Sequence, residues 1–287
     1  MRRPLKRTAP GEGRVTEYTI TEEEFQEISS LIYQESGIAL SGGKKSMLIS
    51  RLSRRLRELG LDRFHDYYRY ITSDNRDEEF TRLLDLVSTN KTDFFREQKH
   101  FEFMREVILP ELAETKRVRI WSAGCSSGEE SYSIAMVLSD WIAHKGRWDC
   151  KILASDLSTR VLRKADDGIY ELEKVKGLDP KQIRRHFLRG RGENTGQIKV
   201  KPHLRKMIAF KRINLMAEHF PIKTPLDLIF CRNVMIYFDR PTQAQLVAKF
   251  HHHLKPGGHL FIGHSESLHW VESQFRYVAP TIYRKEG

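Results

Sequence analysis

From Arg117 onward the chain alternates between short β-branched runs and amphipathic stretches, and that alternation constrains its fold more than any other feature. Arg117–Ala123 (RVRIWSA) ends in a Gly/Ser loop and is followed by the helical pattern SYSIAMVLSDWIAH. Lys151–Ser155 (KILAS) runs into Asp156, with a helix predicted near 158–166. Met207–Ile213 and Leu226–Cys231 (LDLIFC) supply two more strands, then a helix around 241–254. The turn Pro256-Gly257-Gly258 leads into His259–Gly263. Strands separated by helices form a parallel sheet covered on both faces. Arg276–Ala279 and Thr281–Arg284 lie too close for a crossover helix, so they predict an antiparallel hairpin on one edge. The expectation is an α/β fold with a doubly wound, mostly parallel, seven-stranded sheet.

The first part of the chain has a different period. Residues 1–15 are polar and basic and read as a flexible tail. Thr21 and Glu24 have capping-box spacing, and Phe25, Ile28, Leu31 and Ile32 recur at helical intervals up to Gly37. A second helix follows Ser41-Gly42-Gly43 and runs to Gly60 with Leu48, Leu52, Leu56 and Leu59 on one stripe, and others cover about 63–73 and 77–88. Residues 16–88 therefore predict a small all-helical domain and 89–287 the α/β domain. About 168–206, with Ile198-Lys199-Val200 and the loop Gly190–Gly196, break the alternation and predict a small inserted antiparallel β-subdomain.

Composition narrows the function. The 287 residues carry 49 Lys+Arg against 38 Asp+Glu, a net charge of +11, so an anionic partner is expected. No apolar run approaches the ~20 residues that span a bilayer, and no apolar stretch follows the basic N-terminus, so a cytoplasmic protein without membrane insertion is expected. Cys125, Cys150 and Cys231 are odd in number and widely spaced, and read as reduced thiols rather than disulfides or zinc ligands. The run His251-His252-His253 points in different directions on a helix, so no metal is expected.

In open α/β sheets ligands lie at the carboxyl ends of the strands. The first such end is Ser122-Ala123-Gly124-Cys125-Ser126-Ser127-Gly128-Glu129-Glu130. Gly124 and Gly128 allow tight turns, but the dinucleotide spacing GxGxxG is missing. Two carboxylates at the next helix start repel a phosphate and suit a cation such as S-adenosylmethionine, which carries a sulfonium and an ammonium group. The competing reading is that both acids simply cap the helix. Asp156, 28 residues after Gly128 at the end of the second strand, is placed to accept ribose hydroxyls.

Several motifs together resemble one family. Ser88–Glu97 (STNKTDFFRE), Ser122–Tyr132, Ala154-Ser155-Asp156, Ile213-Asn214-Leu215, Ile229–Asp239 (IFCRNVMIYFD) and Gly263–Ser267 (GHSES) are similar, in order, to the CheR-type chemotaxis receptor methyltransferases. The resemblance implies a class I, Rossmann-like methyltransferase that uses S-adenosylmethionine to esterify glutamates on cytoplasmic helices of chemoreceptors. It assigns Asn90, Thr92, Arg96, Glu130, Asp156, Asn214, Leu215, Arg232 and Asn233 to the cofactor, with Arg96 and Tyr237 nearest the methyl group. The inserted segment matches the family's β-subdomain, and its loop with Gly190, Gly192 and Gly196 implies docking on a C-terminal pentapeptide tether of the receptor. A monomer is expected.

A glutamate carboxylate has a reference pKa near 4.3 and is ionised at neutral pH, so methyl transfer to it needs no general base. Arg96 could hold the carboxylate through its fork of donors, and Tyr237 could donate to it or wall the methyl channel. Tyr237 could equally be a core aromatic. The fourth strand is followed by Cys231-Arg232-Asn233-Val234, with no proline in that segment, unlike the proline-rich segment of amine and amide methyltransferases. The helix over 44–60 carries Lys44, Arg51, Arg54, Arg55 and Arg57 with Glu58 its only acid, and reads as a surface for a glutamate-rich helix or as a plain solvated face. An RNA methyltransferase would interleave aromatics with such charges, and this helix has none, so no nucleic acid is expected. A non-catalytic adaptor is the other alternative, disfavoured by the presence of Arg96 and Tyr237.

Overall fold

The computed structural model describes residues 18–73, 76–88, 90–271 and 274–287; the expected tail at 1–15 and Thr89 of the STNKTDFFRE motif lie outside them. Four helices come first: α1 (Glu22–Ser36), α2 (Lys45–Leu59), α3 (Phe64–Ile71) and α4 (Arg76–Val87). The capping box is present, with the Thr21 hydroxyl accepting from the Glu24 N–H at 3.1 Å and Glu24 Oε2 accepting from the Thr21 N–H at 2.8 Å. Gly37 ends α1 in the left-handed region at φ 73°. Leu48, Leu52 and Leu56 of α2 are fully buried, as the stripe predicts.

After the segment 90–98, α5 (Lys99–Phe103) continues through a π turn at Met104–Ile108 into α6 (Leu109–Glu111). The α/β body then runs β1 (Arg117–Ala123), α7 (Glu129–Ile142), β2 (Asp149–Asp156) and α8 (Thr159–Asp167). An insertion follows, with β3 (Ile169–Glu171), α9 (Pro180–His186), β4 (Phe187–Arg189), β5 (Gln197–Val200) and α10 (Pro202–Arg205). The body resumes with β6 (Ile208–Arg212), β7 (Leu226–Cys231), α11 (Arg240–His253), β8 (Leu254–Ile262), β9 (Phe275–Ala279) and β10 (Ile282–Lys285).

The main sheet has seven strands in the order β6-β2-β1-β7-β8-β10-β9, and the insertion forms a separate antiparallel sheet in the order β3-β5-β4. The pairs β6–β2, β2–β1, β1–β7 and β7–β8 are parallel, while β10 is antiparallel to both β8 and β9. Strand order reverses between β1 and β7, the position where doubly wound sheets hold ligands. β7 is buried at every residue, as a strand covered on both faces must be.

One expectation needs correction. Pro256-Gly257-Gly258 is not a turn ahead of the fifth strand but lies inside β8, which pairs with β7 from Leu254. A register shift between Leu226 and Leu228 absorbs the proline. Gly258 runs so close to its neighbours that a Cβ there would sit 2.9 Å from the Lys255 carbonyl oxygen.

The helical region and the body share a core. Phe25, Ile28 and Ile32 of α1 and the leucines of α2 belong to the same buried cluster as Trp121, Ile229 and Phe250. Backbone bonds cross the boundary too: the Ala39 N–H donates to the Tyr237 carbonyl at 2.8 Å, and Ile38 bridges Phe238. A Cβ on Gly37 would meet Met216 Sδ at 2.3 Å, so this left-handed turn packs directly against the Met216 side chain of the body. Among the described residues no helix is long and apolar enough to cross a membrane.

Candidate functional site

A cleft enclosing about 1050 Å³, solvent-open mouth included, lies over the carboxyl ends of β1, β2 and β7. All eleven residues expected at the cofactor or methyl-transfer site line it: Asn90, Thr92, Arg96, Gly124, Glu130, Asp156, Asn214, Leu215, Arg232, Asn233 and Tyr237. Ser36, Ile38, Leu84, Asp85 and Ser88 line it from the helical region and were missed. Ser88 opens the STNKTDFFRE motif, whereas Ser36, Ile38, Leu84 and Asp85 carry no motif and come to the cleft only through packing.

Its floor is built from loops in tight backbone conformations. Phe95, Glu97, Ser126 and Asn233 have φ of 52°, 57°, 49° and 59°, unusual for residues other than glycine and concentrated around the cleft. Gly124, at φ 83°, lets the loop after β1 press on the loop after β7, because a Cβ there would lie 2.4 Å from Val234 Cγ2. The Gly124 and Cys125 N–H groups both donate to the Ser155 carbonyl at 2.8 Å, tying the first loop to the end of β2. Cys125 lines the cleft as a buried free thiol, its pKa pushed up by burial and by the nearby Asp156 carboxylate.

Asp156 closes β2. Its Oδ2 accepts from the Ser126 N–H at 2.9 Å and its Oδ1 from the Ser158 N–H at 3.0 Å. Burial pushes its carboxyl above the ordinary aspartate value, opposed by those N–H groups. Both oxygens are thereby aimed, with lone pairs left over for further donors.

The two acids that open α7 do not act as a pair, which corrects the sequence reading. Glu130 faces the cleft, accepting from Ser122 Oγ at 2.7 Å and facing Arg232 Nη1 at 3.3 Å. Glu129 is 1% exposed and points the other way, toward Ser127 Oγ at 2.7 Å and Lys174 at 3.8 Å. Consecutive helical positions diverge by about 100° and cannot share a ligand. Burial raises both carboxyls, with Arg232 opposing it at Glu130.

The two arginines also part company. Arg232 has a side chain only 2% exposed and sits between Glu97 Oε2 at 3.0 Å and Glu130 Oε2 at 3.3 Å, while also donating to the Arg96 carbonyl. Burial acts on Glu97 first, but Arg232 and the His264 N–H outweigh it and hold that carboxyl below its usual value. Arg96 is exposed where it lines the cleft, with Nη1 donating to the Lys91 carbonyl at 3.0 Å. Tyr237 is half-buried on the same wall, with Lys44 Nζ 6.0 Å from its ring centre.

Glu97 and Glu266 were not predicted as site residues, yet they hold the walls. Glu266 accepts from the N–H groups of Asn233, Ile236 and Gly263 at 3.0, 3.1 and 2.5 Å, clamping the loops after β7 and β8 together. Both lie inside motifs, at the ends of FFRE and in GHSES, which was the available signal. Glu97, His100 and His264 are the one trio of metal-ligand type found among the described residues. A guanidinium already occupies that carboxylate, and an ion would have to displace it.

Of the residues expected to dock the receptor away from the methyl group, on the basic helix and the Gly190–Gly196 loop, none lines the cleft. Two members of the basic helix turn inward, correcting the view of an unpaired cationic face. Arg55, 15% exposed, pairs with Glu58 at 3.0 Å and Glu79 at 2.5 Å, and Arg51 donates to the Leu86 and Val87 carbonyls at 2.8 and 3.2 Å, capping α4. Glu79 and α4 lie 24 or more residues away in sequence, so helix periodicity could not reveal them. Lys44 donates to the Ala39 carbonyl at 3.3 Å, whereas Arg54 and Arg57 are exposed. Gly190, Gly192 and Gly196 form the β4–β5 connection of the inserted sheet, where Gly190 passes so near the Asn194 carbonyl oxygen that a Cβ would lie 2.0 Å from it. β4 is an edge strand with Leu188 exposed.

Residues 90–284 match the family model described as "CheR methyltransferase, SAM binding domain", and residues 23–88 match "CheR methyltransferase, all-alpha domain". The chain belongs to the CheR methyltransferase family. The chemotaxis protein methyltransferase of Escherichia coli (strain K12) is 42% identical over 265 residues, covering 92% of this chain and 91% of the relative. That of Borreliella burgdorferi is 42% identical over 273 residues, covering 93% and 95%. Chemotaxis protein methyltransferase 2 of Pseudomonas aeruginosa is 39% identical over 269 residues, covering 93% and 94%. Like its family, this CheR methyltransferase is an S-adenosylmethionine-dependent enzyme. The cleft fits that cofactor chemically: Glu130 offers acceptors for a cationic group and Asp156 for hydroxyls.

Proposed function

We propose that this methyltransferase esterifies glutamate side chains on the cytoplasmic helices of chemoreceptors, giving methyl esters for sensory adaptation. The observation that carries this reading is the division of labour between the arginines. Arg232 is sealed between two carboxylates, while Arg96 beside it stays open at the cleft mouth.

S-adenosylmethionine would supply an electrophilic methyl group, with the S–CH3 bond breaking as the ester O–CH3 bond forms and S-adenosylhomocysteine leaving as a neutral thioether. Asp156, Glu130 and the Asn214-Leu215 segment hold it, with Asn214 fixed by donating to the Glu35 carbonyl at 2.7 Å. Arg96 receives the glutamate carboxylate through part of its fork and leaves one oxygen free to attack. The carboxylate is already ionised at neutral pH, so orientation and exclusion of water carry the rate, and no side chain has to take a proton. Tyr237 walls the approach and donates its hydroxyl to the same carboxylate.

For the substrate, exposed Arg54 and Arg57 offer positive charge to a glutamate-rich helix, and the open edge of β4 beside the Gly190–Gly196 loop offers backbone pairing to a short receptor tether. A cytoplasmic monomer suits such a partner. The test is incubation with methyl-labelled S-adenosylmethionine and receptor cytoplasmic fragments. Label released as methanol by mild alkali is expected; alkali-stable label, or none, overturns the reading.

A further inference from the structure

α4 walls one side of the cleft through Leu84, Asp85 and Ser88. Asp85 has a side chain 8% exposed, and its Oδ2 accepts from Arg160 Nε at 2.6 Å. Its Oδ1 is buried and has no hydrogen-bond partner among the described residues. A buried carboxylate oxygen left in that condition is costly, and proteins retain one where a ligand or ordered water completes it. This oxygen belongs to a residue that lines the cofactor cleft.

Its position narrows the partner. Asp85 acts on Asp156 as a nearby negative charge, so both carboxylates border the same part of the cleft. Asp156 and Leu157 line the cleft at the end of β2, whereas Glu130 and Arg232, which the proposed function sets beside the cationic group and methyl, line it from the start of α7 and the loop after β7. Arg160, in the first turn of α8, fixes the orientation of the carboxylate and ties α4 to the α/β body.

We propose that Asp85 Oδ1 accepts a hydrogen bond from an O–H or N–H of the cofactor's nucleoside half, so that the helical region completes the cofactor site. The inference rests on the cleft being the S-adenosylmethionine site. A ribose hydroxyl and the adenine amino group share the required donor chemistry, and the experiment separates them.

Binding of S-adenosylhomocysteine is measured by calorimetry on the full chain, for the wild type, Asp85→Ala and Arg160→Met. Each is repeated with the 2′-deoxy, 3′-deoxy and N6,N6-dimethyl forms of the ligand. Asp85→Ala is expected to raise Kd by about tenfold or more, the size of one hydrogen bond to a charged acceptor. With the ligand that lacks the recognised donor, the same substitution should change Kd by less than about twofold, which identifies the donor. Arg160→Met removes the ion pair but keeps the acceptor, and should weaken binding less. If Asp85→Ala does not fold, Asp85→Asn is compared in its place. Unchanged affinity in the Asp85 variant overturns the proposal, as does a loss that Arg160→Met reproduces in full. Failure of the wild type to bind S-adenosylhomocysteine would instead remove the reading of the cleft itself.

Discussion

The molecule places an arginine between two carboxylates in two regions, with different results. In the helical region Arg55 lies between Glu58 and Glu79, the latter also accepting from Tyr67 Oη at 3.0 Å. In the cleft Arg232 lies between Glu97 and Glu130. The first set joins α2 to α4 and reaches solvent at Glu58, 33% exposed. The second is nearly sealed and ties the 90–98 segment and the loop after β7 to the first turn of α7. Ion pairs at a surface contribute little, whereas removing one member of a buried set strands the others without solvent. The same chemistry therefore acts as a stitch in one place and as the frame of a binding site in the other.

Breaking the frame should have the largest effect. Arg232→Ala leaves Glu97 and Glu130 buried without their cation, and should lower stability by about 3–5 kcal/mol and abolish cofactor binding, read by urea unfolding and calorimetry. Arg96→Ala should instead leave the melting temperature within a degree or two while lowering kcat by about 10²–10³-fold, the range for loss of a charge-stabilising donor. Turnover that survives in Arg96→Ala would mean that the exposed arginine only decorates the mouth. Arg55→Ala, on the stitch, should lower stability by about 1–3 kcal/mol and leave kcat and cofactor affinity of the folded enzyme unchanged. Arg54→Glu with Arg57→Glu should raise the receptor KM severalfold at low salt and much less at high salt, where the Debye length shrinks to ~3 Å.

Acidity sharpens the contrast further. Burial raises the Glu130 carboxyl above the ordinary glutamate value against the pull of Arg232, so the folded enzyme takes up that proton while an unfolded glutamate is still ionised. Its contribution to stability is present below the unfolded value and lost as pH rises through the folded one. Under the proposed role of Glu130, cofactor binding uses the ionised form, follows the opposite course and should weaken on acidification. Hydrogen bonding from Arg55 holds Glu58 below its ordinary value, so its stabilising effect is present above that value and lost only as pH falls through the lower folded one. A pH series should therefore show S-adenosylhomocysteine affinity falling before helical unfolding begins. Simultaneous loss of the two would erase the distinction between the clusters.

These two sets also show where a sequence can be read and where it cannot. The sheet was legible because β-branched runs and helical stretches alternate, and α1 because Thr21 and Glu24 carry a local cap. Gly124, Glu130 and Asp156 were legible from their place at strand ends, whereas Asn90, Thr92, Arg96, Asn214, Leu215, Arg232, Asn233 and Tyr237 were legible only through the motifs that resemble the CheR family. Arg51 and Arg55 were misjudged because their partners lie on α4, and helix periodicity says nothing about a neighbouring helix. Glu129 and Glu130 look equivalent as letters and differ only in direction. Asp85, Glu97 and Glu266 needed the folded chain, because each works across a boundary between elements that only packing creates.

The shared core of the helical region and the α/β body bears on how these enzymes could be recombined. Gly37 abuts Met216, Ala39 hydrogen-bonds to Tyr237, and Asn214 reaches Glu35, so the seam runs through both halves and borders the cleft. Grafting the helices of one relative onto the sheet of another would need Met216, Tyr237 and Phe238 to travel with them. Without that seam the hybrid would lose its grip on the methyl donor along with the intended change in receptor preference.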